Sequence, residues 1–316
     1  MLPNNSIFKK IAEAIDRIIV GQSVVVQQVL VALLSGGHLI LEGVPGTAKT
    51  LLVKVVARLI QADFRRVQLT PDILPSDILG TNIFDLNSRI FSLKKGPIFT
   101  EILLADEINR TPPKTQSALL EAMEEQQVTL DGETLLLPKL FWVIATQNPL
   151  EFEGTYPLPE AQLDRFLFKL VIDYPESGAE KKMLVHAQEG FRGKRIDLEK
   201  IETITNVEEI IQARASVQQV SIEDNIIDYL LSLVQKTRKH PDIFLGASPR
   251  AAVAWLQTSK AQAWLSDRDY VTPDDIKIVA PALLRHRLIL KPEAQLDGVQ
   301  IEGIIASLLK QVPVPR

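Results

Sequence analysis

The sequence predicts an α/β domain in its first half and a helical domain in its second half. Four short apolar runs, bounded by turns and separated by helical or loop segments, lie at residues 38–41, 102–105, 141–145 and 166–172. Runs of this kind are typical of buried parallel strands. After Tyr174 and Pro175 the strand pattern fades and helical periodicity continues. We therefore expect an α/β core over residues 1–175 and a small helical domain over 176–316.

The composition is that of an ordinary folded protein. Of 316 residues, 46% are hydrophobic and 23% are charged, and the net charge of -4 gives no general attraction for polyanions. Nucleic acid is therefore an unlikely partner. The absence of cysteine excludes disulfides and thiolate metal sites and suits the cytoplasm. The four histidines show no metal-ligand spacing, so any metal site must use oxygen ligands.

Residues 22–41 carry no charge and are nominally long enough to span a bilayer. Ser35, Gly36 and Gly37 would break a helix in the middle of that stretch. We expect a core helix, a turn and a buried strand there, and no membrane span.

Helices and hairpins are predicted between the strands. Residues 48–60 place an apolar face at helical spacing, and Thr111 followed by Pro112 reads as the N-cap and first position of another helix. Two stretches of alternating residues, 82–94 around Asn87 and Ser88 and 128–137 around Asp131 and Gly132, predict β-hairpins.

A glycine-rich segment follows the first predicted strand and opens the first predicted helix. Its residues are Gly43, Val44, Pro45, Gly46, Thr47, Ala48, Lys49 and Thr50. Backbone N–H groups and the helix N-terminus can hold phosphate oxygens there, Lys49 can reach the β and γ phosphates, and Thr50 can bind Mg²⁺. The strict pattern has glycine where this chain has Ala48. A tight turn without a ligand is the alternative.

Two adjacent acids follow the second predicted strand. Asp106 and Glu107 lie where ligands of open α/β sheets bind, so Asp106 would orient a Mg²⁺ ion and Glu107 would polarise an attacking water. After the third strand, Asn148 could hydrogen-bond that water or the γ-phosphate. Asn148 precedes a proline and could equally be a turn residue.

The order of motifs resembles the MoxR family of AAA+ ATPases. The matching segments are GVPGTAKT, ILLADEINRTPPKTQSALLEAMEE, IATQNPLEFEGTYPLPEAQLDRF and GASPRA, and they cover most of the chain. In that family alanine precedes the P-loop lysine, so Ala48 supports the resemblance. The resemblance implies a five-stranded core, a helical lid, a helix-2 insert at residues 82–94 and a pre-sensor hairpin at 128–137.

The resemblance also implies roles for single residues. Asn148 matches the first sensor, Arg165 the arginine finger and Arg250 the second sensor, while Val20 and Gly21 resemble the segment that lines the adenine pocket. An arginine finger delivered by a neighbour would make hydrolysis depend on assembly. Arg250 lies in the first turn of a predicted helix, where the helix dipole disfavours a cation and an anionic partner is expected. A surface salt bridge is the alternative for both arginines.

These observations predict an ATPase that binds ATP and Mg²⁺ in a homo-oligomeric ring, expected to be a hexamer. The resemblance implies chaperone-like remodelling of partner proteins, including partners with a von Willebrand factor A domain, and assistance in metal or cofactor insertion. Three alternatives stay open: a metal-chelatase ATPase subunit, a nucleic-acid motor and a module that binds nucleotide without turnover. Residues 128–138 offer only Asp131 and Glu133 as charges, which counts against nucleic acid.

Overall fold

A computed structural model describes residues 6–85, 89–150, 154–188 and 198–315. In chain order, the strands of this part are β1 (Leu39–Glu42), β2 (Phe64–Gln68), β3 (Gly80–Asp85), β4 (Ile90–Lys95), β5 (Ile102–Asp106), β6 (Gln127–Leu130), β7 (Glu133–Leu136), β8 (Trp142–Gln147), β9 (Phe168–Val171), β10 (Ile243–Leu245) and β11 (Ile289–Leu290). The helices are α1 (Ser6–Ile18), α2 (Ser23–Ser35), α3 (Lys49–Leu59), α4 (Pro75–Leu79), α5 (Pro113–Glu125), α6 (Glu160–Leu163), α7 (Ser177–Gln188), α8 (Val207–Gln218), α9 (Asp224–Lys239), α10 (Pro249–Leu265), α11 (Pro273–Leu284), α12 (Pro292–Leu296) and α13 (Ile301–Gln311).

A five-stranded parallel sheet with the order β2-β5-β8-β1-β9 forms the centre of the first half. Alternate residues of its central strands enter two separate apolar clusters. In β1, Leu39 and Leu41 pack into one cluster and Ile40 into the other. The sheet is thus covered on both faces, which confirms the α/β core and the four strands expected from apolar runs.

The fifth strand, β2, has no apolar run in the sequence. It lies at the edge of the sheet, and in the segment FRRVQ only Val67 is buried. Its two arginines point away from the core, so the pattern of a buried strand is absent. This strand carries Arg66, which contacts the candidate site described below.

The uncharged stretch 22–41 forms a helix, a turn and a strand, as expected. Helix α2 ends at a left-handed Gly36 with φ 73°, and β1 begins three residues later. None of the helices in the described ranges is long and apolar enough to cross a bilayer.

His38 precedes β1 and is buried; its Nδ1 accepts the Val143 N–H at 2.9 Å, and its Nε2 lies 3.2 Å from the Met123 carbonyl oxygen. Burial lowers the pKa of His38 to about 4.

Both expected hairpins are present. Strands β3 and β4 pair antiparallel, and so do β6 and β7. Asp131 and Gly132 have φ of 49° and 87°, as a two-residue hairpin turn requires. The turn at Asn87 and Ser88 lies outside the described residues.

The start of α5 differs from the expectation. Thr111 ends the short 3₁₀ turn that precedes the helix, Pro112 takes the N-cap position and Pro113 is the first helical residue. Proline was expected in the first turn, but either of two consecutive prolines could begin the helix and the sequence alone favoured the wrong one.

The described residues of the second half are mainly helical and include one pair of strands. Strands β10 and β11 form a short antiparallel pair, Ile243 with Leu290 and Leu245 with Ile289, beside helices of this domain. The N-terminal helices pack against the lid, since the rings of Phe8 and Trp264 meet edge-on at 5.3 Å. One apolar cluster therefore continues from the core into the lid, and the division at 175/176 stays a prediction.

Candidate functional site

The glycine-rich loop connects β1 to α3 at the carboxyl end of the sheet. A Cβ on Gly43 would lie 2.4 Å from the carbonyl oxygen of Ile172, the residue after β9, so only glycine allows this close approach. Gly46 has φ 89° and open space beside it. Ala48 has φ 63°, a left-handed conformation that glycine adopts at less cost, and this explains why the strict motif has glycine there.

Lys49 folds back over this loop. Its ammonium donates to the carbonyl oxygens of Gly43 at 2.6 Å and Val44 at 2.8 Å. Burial lowers the pKa of Lys49, while the nearby carboxylates of Asp106 and Glu107 raise it. The lysine therefore lies between the loop and the acid pair, as a phosphate-binding lysine should.

Asp106 ends β5 and is buried by two partners that the sequence did not indicate. Arg66 of β2 donates to Asp106 Oδ2 through Nε at 2.9 Å and Nη2 at 2.7 Å. The hydroxyl of Thr146, near the end of β8, donates to Asp106 Oδ1. A polar residue inside an apolar strand was the available signal for Thr146, whereas Arg66 could be found only by recognising its strand.

Glu107 has a strained backbone. Its φ of 61° and ψ of 53° are left-handed, which costs a non-glycine residue of order 1–3 kcal/mol and is typical of functional sites. Its N–H donates to the Thr146 hydroxyl at 2.9 Å, so that one hydroxyl contacts both acids. Its carboxylate accepts from Arg110 Nη1 at 3.0 Å.

Asn148 follows β8 and is buried beside the acid pair. Its Oδ1 accepts the Leu150 N–H at 3.1 Å, so the side-chain oxygen of Asn148 is used in a turn. The residue also lines the cavity described next, so a sensor role through its Nδ2 is compatible with the turn. That role stays a prediction.

These residues line a cavity of about 910 Å³. Gly46, Lys49, Thr50, Asp106, Glu107 and Asn148 contribute polar groups to it. Apolar side chains of Ile18, Val20, Tyr174, Met183 and Leu184 share the same cavity. Gly21 has φ 83° and packs closely against Ala179, since a Cβ on Gly21 would come within 2.7 Å of Ala179 Cβ. The cavity thus offers polar groups for phosphates and an apolar region for a base.

The donor set fits a magnesium nucleotide. No group of three or more acidic, histidine or cysteine side chains that could hold a metal occurs in the described ranges, so a closed all-protein metal site is not seen there. Thr50 and Asp106 both face the cavity. Mg²⁺ usually takes one or two protein oxygens together with substrate phosphates, and Thr50 and Asp106 are the residues that would hold it.

Arg165 and Arg250 are brought together, but away from the cavity. Neither is among the described residues that line it. Arg165 Nε lies 3.0 Å from Glu124 Oε2, and Arg250 Nη1 lies 3.2 Å from Glu124 Oε1. Both contacts are surface salt bridges to Glu124 of the same chain, on α5, as the alternative for these arginines expected; their finger and sensor roles stay predictions. No sequence pattern pointed to Glu124.

Buried Arg287 and partly buried Asp164 join the lid to the core beside these arginines. Arg287 donates to Asp164 Oδ1 at 2.6 Å and to the carbonyl oxygens of Phe166 at 2.6 Å and Leu167 at 2.8 Å. Ser248 caps α10 by accepting the Ala251 N–H at 3.0 Å, and its hydroxyl lies 3.5 Å from Asp164 Oδ2. The first turn of α10, with Arg250, is thereby fixed next to Arg165.

A parallel sheet with a phosphate loop after β1, an acid pair after β5 and a polar residue after β8, followed by a helical lid, defines the AAA+ class of nucleotide-binding ATPases. Comparison with known families agrees. Residues 38–168 match the ATPase family associated with various cellular activities (AAA), and residues 235–308 match the AAA lid domain.

Relatives that match over most of this chain identify its family within the AAA+ class. The uncharacterized protein YeaC of Bacillus subtilis is 49% identical over 97% of this chain and 94% of its own length. Chaperone MoxR1 of Mycobacterium tuberculosis is 40% identical over 96% of this chain and 81% of its own length. A crystal structure of a candidate ATPase from Cytophaga hutchinsonii superposes with a TM-score of 0.89 at 39% identity, covering 99% of this chain and 96% of that one. The chain belongs to the MoxR family of AAA+ ATPases.

Proposed function

We propose that this protein hydrolyses Mg-ATP at sites shared between neighbouring subunits of a ring and uses the cycle to remodel partner proteins. One observation carries the proposal. The groups that bind phosphate and activate water line one cavity, whereas Arg165 and Arg250, the two arginines expected at the γ-phosphate, do not line it.

Binding in the cavity follows from the geometry of the loop and its lysine. A nucleotide would exchange the Gly43 and Val44 carbonyls for phosphate oxygens at Lys49, because a phosphate is the stronger partner for an ammonium. The loop amides and the N-terminus of α3 would hold the same phosphates. A bound Mg²⁺, held by Thr50 and Asp106, would neutralise charge on the β and γ phosphates.

Glu107 is the residue placed to activate water. It follows the buried end of β5, and its backbone is fixed by the Thr146 hydroxyl, so its carboxylate is held at the cavity wall. Its contact with Arg110 Nη1 at 3.0 Å orients the carboxylate at that wall. Asn148 would orient the same water or the γ-phosphate.

The arginines supply the argument for a ring. A residue that stabilises charge on the γ-phosphate must reach it, and a neighbour's Arg165 and Arg250 can do so if subunits pack with the arginine side of one against the cavity of the next. Head-to-tail contacts form a closed ring when the rotation between subunits closes, and a hexamer is the ring we propose.

The use of the cycle is inferred from relatives. One relative is named a chaperone, which supports the remodelling of client proteins. Beyond that name, we propose a cytoplasmic location, a partner with a von Willebrand factor A domain, and metal or cofactor insertion as an outcome. The lid continues the apolar cluster of the core, and we propose that a change at the nucleotide shifts the lid through this contact.

Substitution Glu107→Gln tests the proposal. The amide keeps the shape of the side chain but cannot accept the proton, so kcat should fall by roughly 10²- to 10⁴-fold while ATP affinity is retained. Turnover is measured by phosphate release and affinity by calorimetry. Glu133→Gln, on the exposed hairpin strand β7, is the matched control and should behave as wild type.

Undiminished turnover in Glu107→Gln would contradict the assignment of the base. A wild-type ring that binds Mg-ATP and never releases phosphate would contradict hydrolysis itself and favour a module regulated by nucleotide binding.

A further inference from the structure

One carboxylate contacts both arginines that the proposed function assigns to the neighbour's nucleotide. Glu124 Oε2 pairs with Arg165 Nε at 3.0 Å, and Glu124 Oε1 pairs with Arg250 Nη1 at 3.2 Å. Resting on the proposed function, we propose that Glu124 is a positioning residue that holds Arg165 and Arg250 together as one unit for the γ-phosphate of the adjacent subunit.

The three residues come from three separate parts of the chain. Glu124 lies in the last turn of α5, Arg165 follows α6 in the core, and Arg250 lies in the first turn of α10 in the lid. Without a shared anion, two guanidinium groups of like charge would repel each other and separate. The contacts of Asp164 place the start of α10 beside Arg165, and Glu124 then joins the two guanidinium groups themselves.

Helix α5 is a rigid support for this carboxylate. Gln116 donates to the Ile108 and Tyr156 carbonyl oxygens at 3.0 and 2.9 Å, and the Met123 carbonyl, one residue before Glu124, contacts buried His38. A positioning side chain is effective when its own backbone is fixed in this way.

The local charge balance favours an anionic partner. Three guanidinium groups, of Arg165, Arg250 and Arg287, face the two carboxylates of Glu124 and Asp164. Burial lowers the pKa of Arg287, Asp164 raises it, and the charge of Arg250 lowers it, as expected for two guanidinium groups close together. An excess of positive charge is left at the surface for a phosphate.

The ion pairs of Glu124 are exposed enough to hold the two arginines in position and still release them. The side chains of Glu124, Arg165 and Arg250 are 36%, 30% and 50% exposed. Ion pairs this exposed are weak, so Glu124 releases its arginines easily when a phosphate arrives. Holding two long side chains beforehand removes much of the entropy lost on contact, and this gain appears in kcat.

The substitution Glu124→Gln removes the charge and keeps the shape. It should lower kcat about tenfold, because two side chains must then be ordered during catalysis, while KM and ATP affinity stay at wild-type values. Glu125→Gln is the matched control: it makes the same charge change one position later, on an exposed residue of the same helix, and should leave kcat unchanged. An unchanged or increased kcat in Glu124→Gln would overturn the proposal.

Two further measurements separate positioning from a general structural role. In an Arg165→Ala background, Glu124→Gln should add little, since the unit is already broken; a further tenfold loss would show that Glu124 acts elsewhere. Rings that mix Glu124→Gln with Lys49→Ala subunits should recover turnover at interfaces where an intact arginine unit faces an intact cavity. No recovery at any ratio would place Glu124 in its own subunit's site and overturn the proposal.

The proposed function and this inference fail in different ways. A wild-type ring without turnover contradicts the ATPase itself. A wild-type ring with turnover, and a Glu124→Gln ring that matches it, contradicts only the role of Glu124.

Discussion

The nucleotide cavity and the arginine cluster of Glu124, Arg165 and Arg250 are built in opposite ways. The cavity collects its polar groups from one edge of one sheet, and the Thr146 hydroxyl ties Asp106 to Glu107. The arginine cluster joins the core to the lid through a single exposed carboxylate.

The difference between the two regions indicates which part of the catalytic site a single chain can form by itself. The acid pair of the cavity is held by hydrogen bonds within the chain, so its geometry is set by folding. The arginines are partly exposed and pair with Glu124 outside the cavity, which is what delivery to another subunit needs. If this division is correct, variants should fall into two groups that complement each other in mixed rings.

Arg165→Ala is expected to have the largest effect. Losing an arginine finger removes charge stabilisation in the transition state and should lower kcat by roughly 10³- to 10⁵-fold, with ATP affinity unchanged because the cavity is intact. Phosphate release and nucleotide titration measure the two. Arg17→Ala, an exposed arginine near the end of α1, is the matched control.

Mixed rings then test whether the arginine acts across an interface. An Arg165→Ala subunit has an intact Glu107, and a Glu107→Gln subunit has an intact Arg165, so hybrid interfaces should recover part of the activity. If no ratio of the two restores turnover, the arginine acts within its own subunit and the division between the two regions is wrong.

Thr146→Val should have a smaller effect, confined to the cavity. Valine keeps the shape of threonine but removes the hydroxyl that contacts both acids, and the loss of alignment should lower kcat by about 10- to 100-fold. Thr134→Val, on exposed β7, is the control. Thr146→Val should complement Arg165→Ala in mixed rings and fail to complement Glu107→Gln; the reverse pattern would contradict its place beside the acids.

The sequence was sufficient to predict those elements and site residues that have a local residue pattern. Apolar runs identified β1, β5, β8 and β9, and the loop and acids follow directly from their ends. It was insufficient where a contact depends on tertiary placement. Edge strand β2 has two arginines and one buried residue, so neither the strand nor Arg66 could be recognised. In the sequence, Glu124 is one acid among several on α5. Its contacts with Arg165 and Arg250 are seen only in the folded structure.

Ala48→Gly should have the smallest effect. Glycine relieves a left-handed φ of 63°, worth about 1–2 kcal/mol, but it loses the packing of a half-buried methyl and adds freedom to the unfolded chain, worth about 0.4–1 kcal/mol. These effects offset, so the unfolding free energy should change by less than about 1 kcal/mol. Gly46→Ala is the counterpart: its φ is 89° with open space around it, so it adds strain without packing and should destabilise by about 1–2 kcal/mol. Thermal melting of both variants measures the difference. Should Ala48→Gly destabilise as much as Gly46→Ala, the methyl of Ala48 would be a structural requirement of the loop, and alanine at this position would be explained by packing.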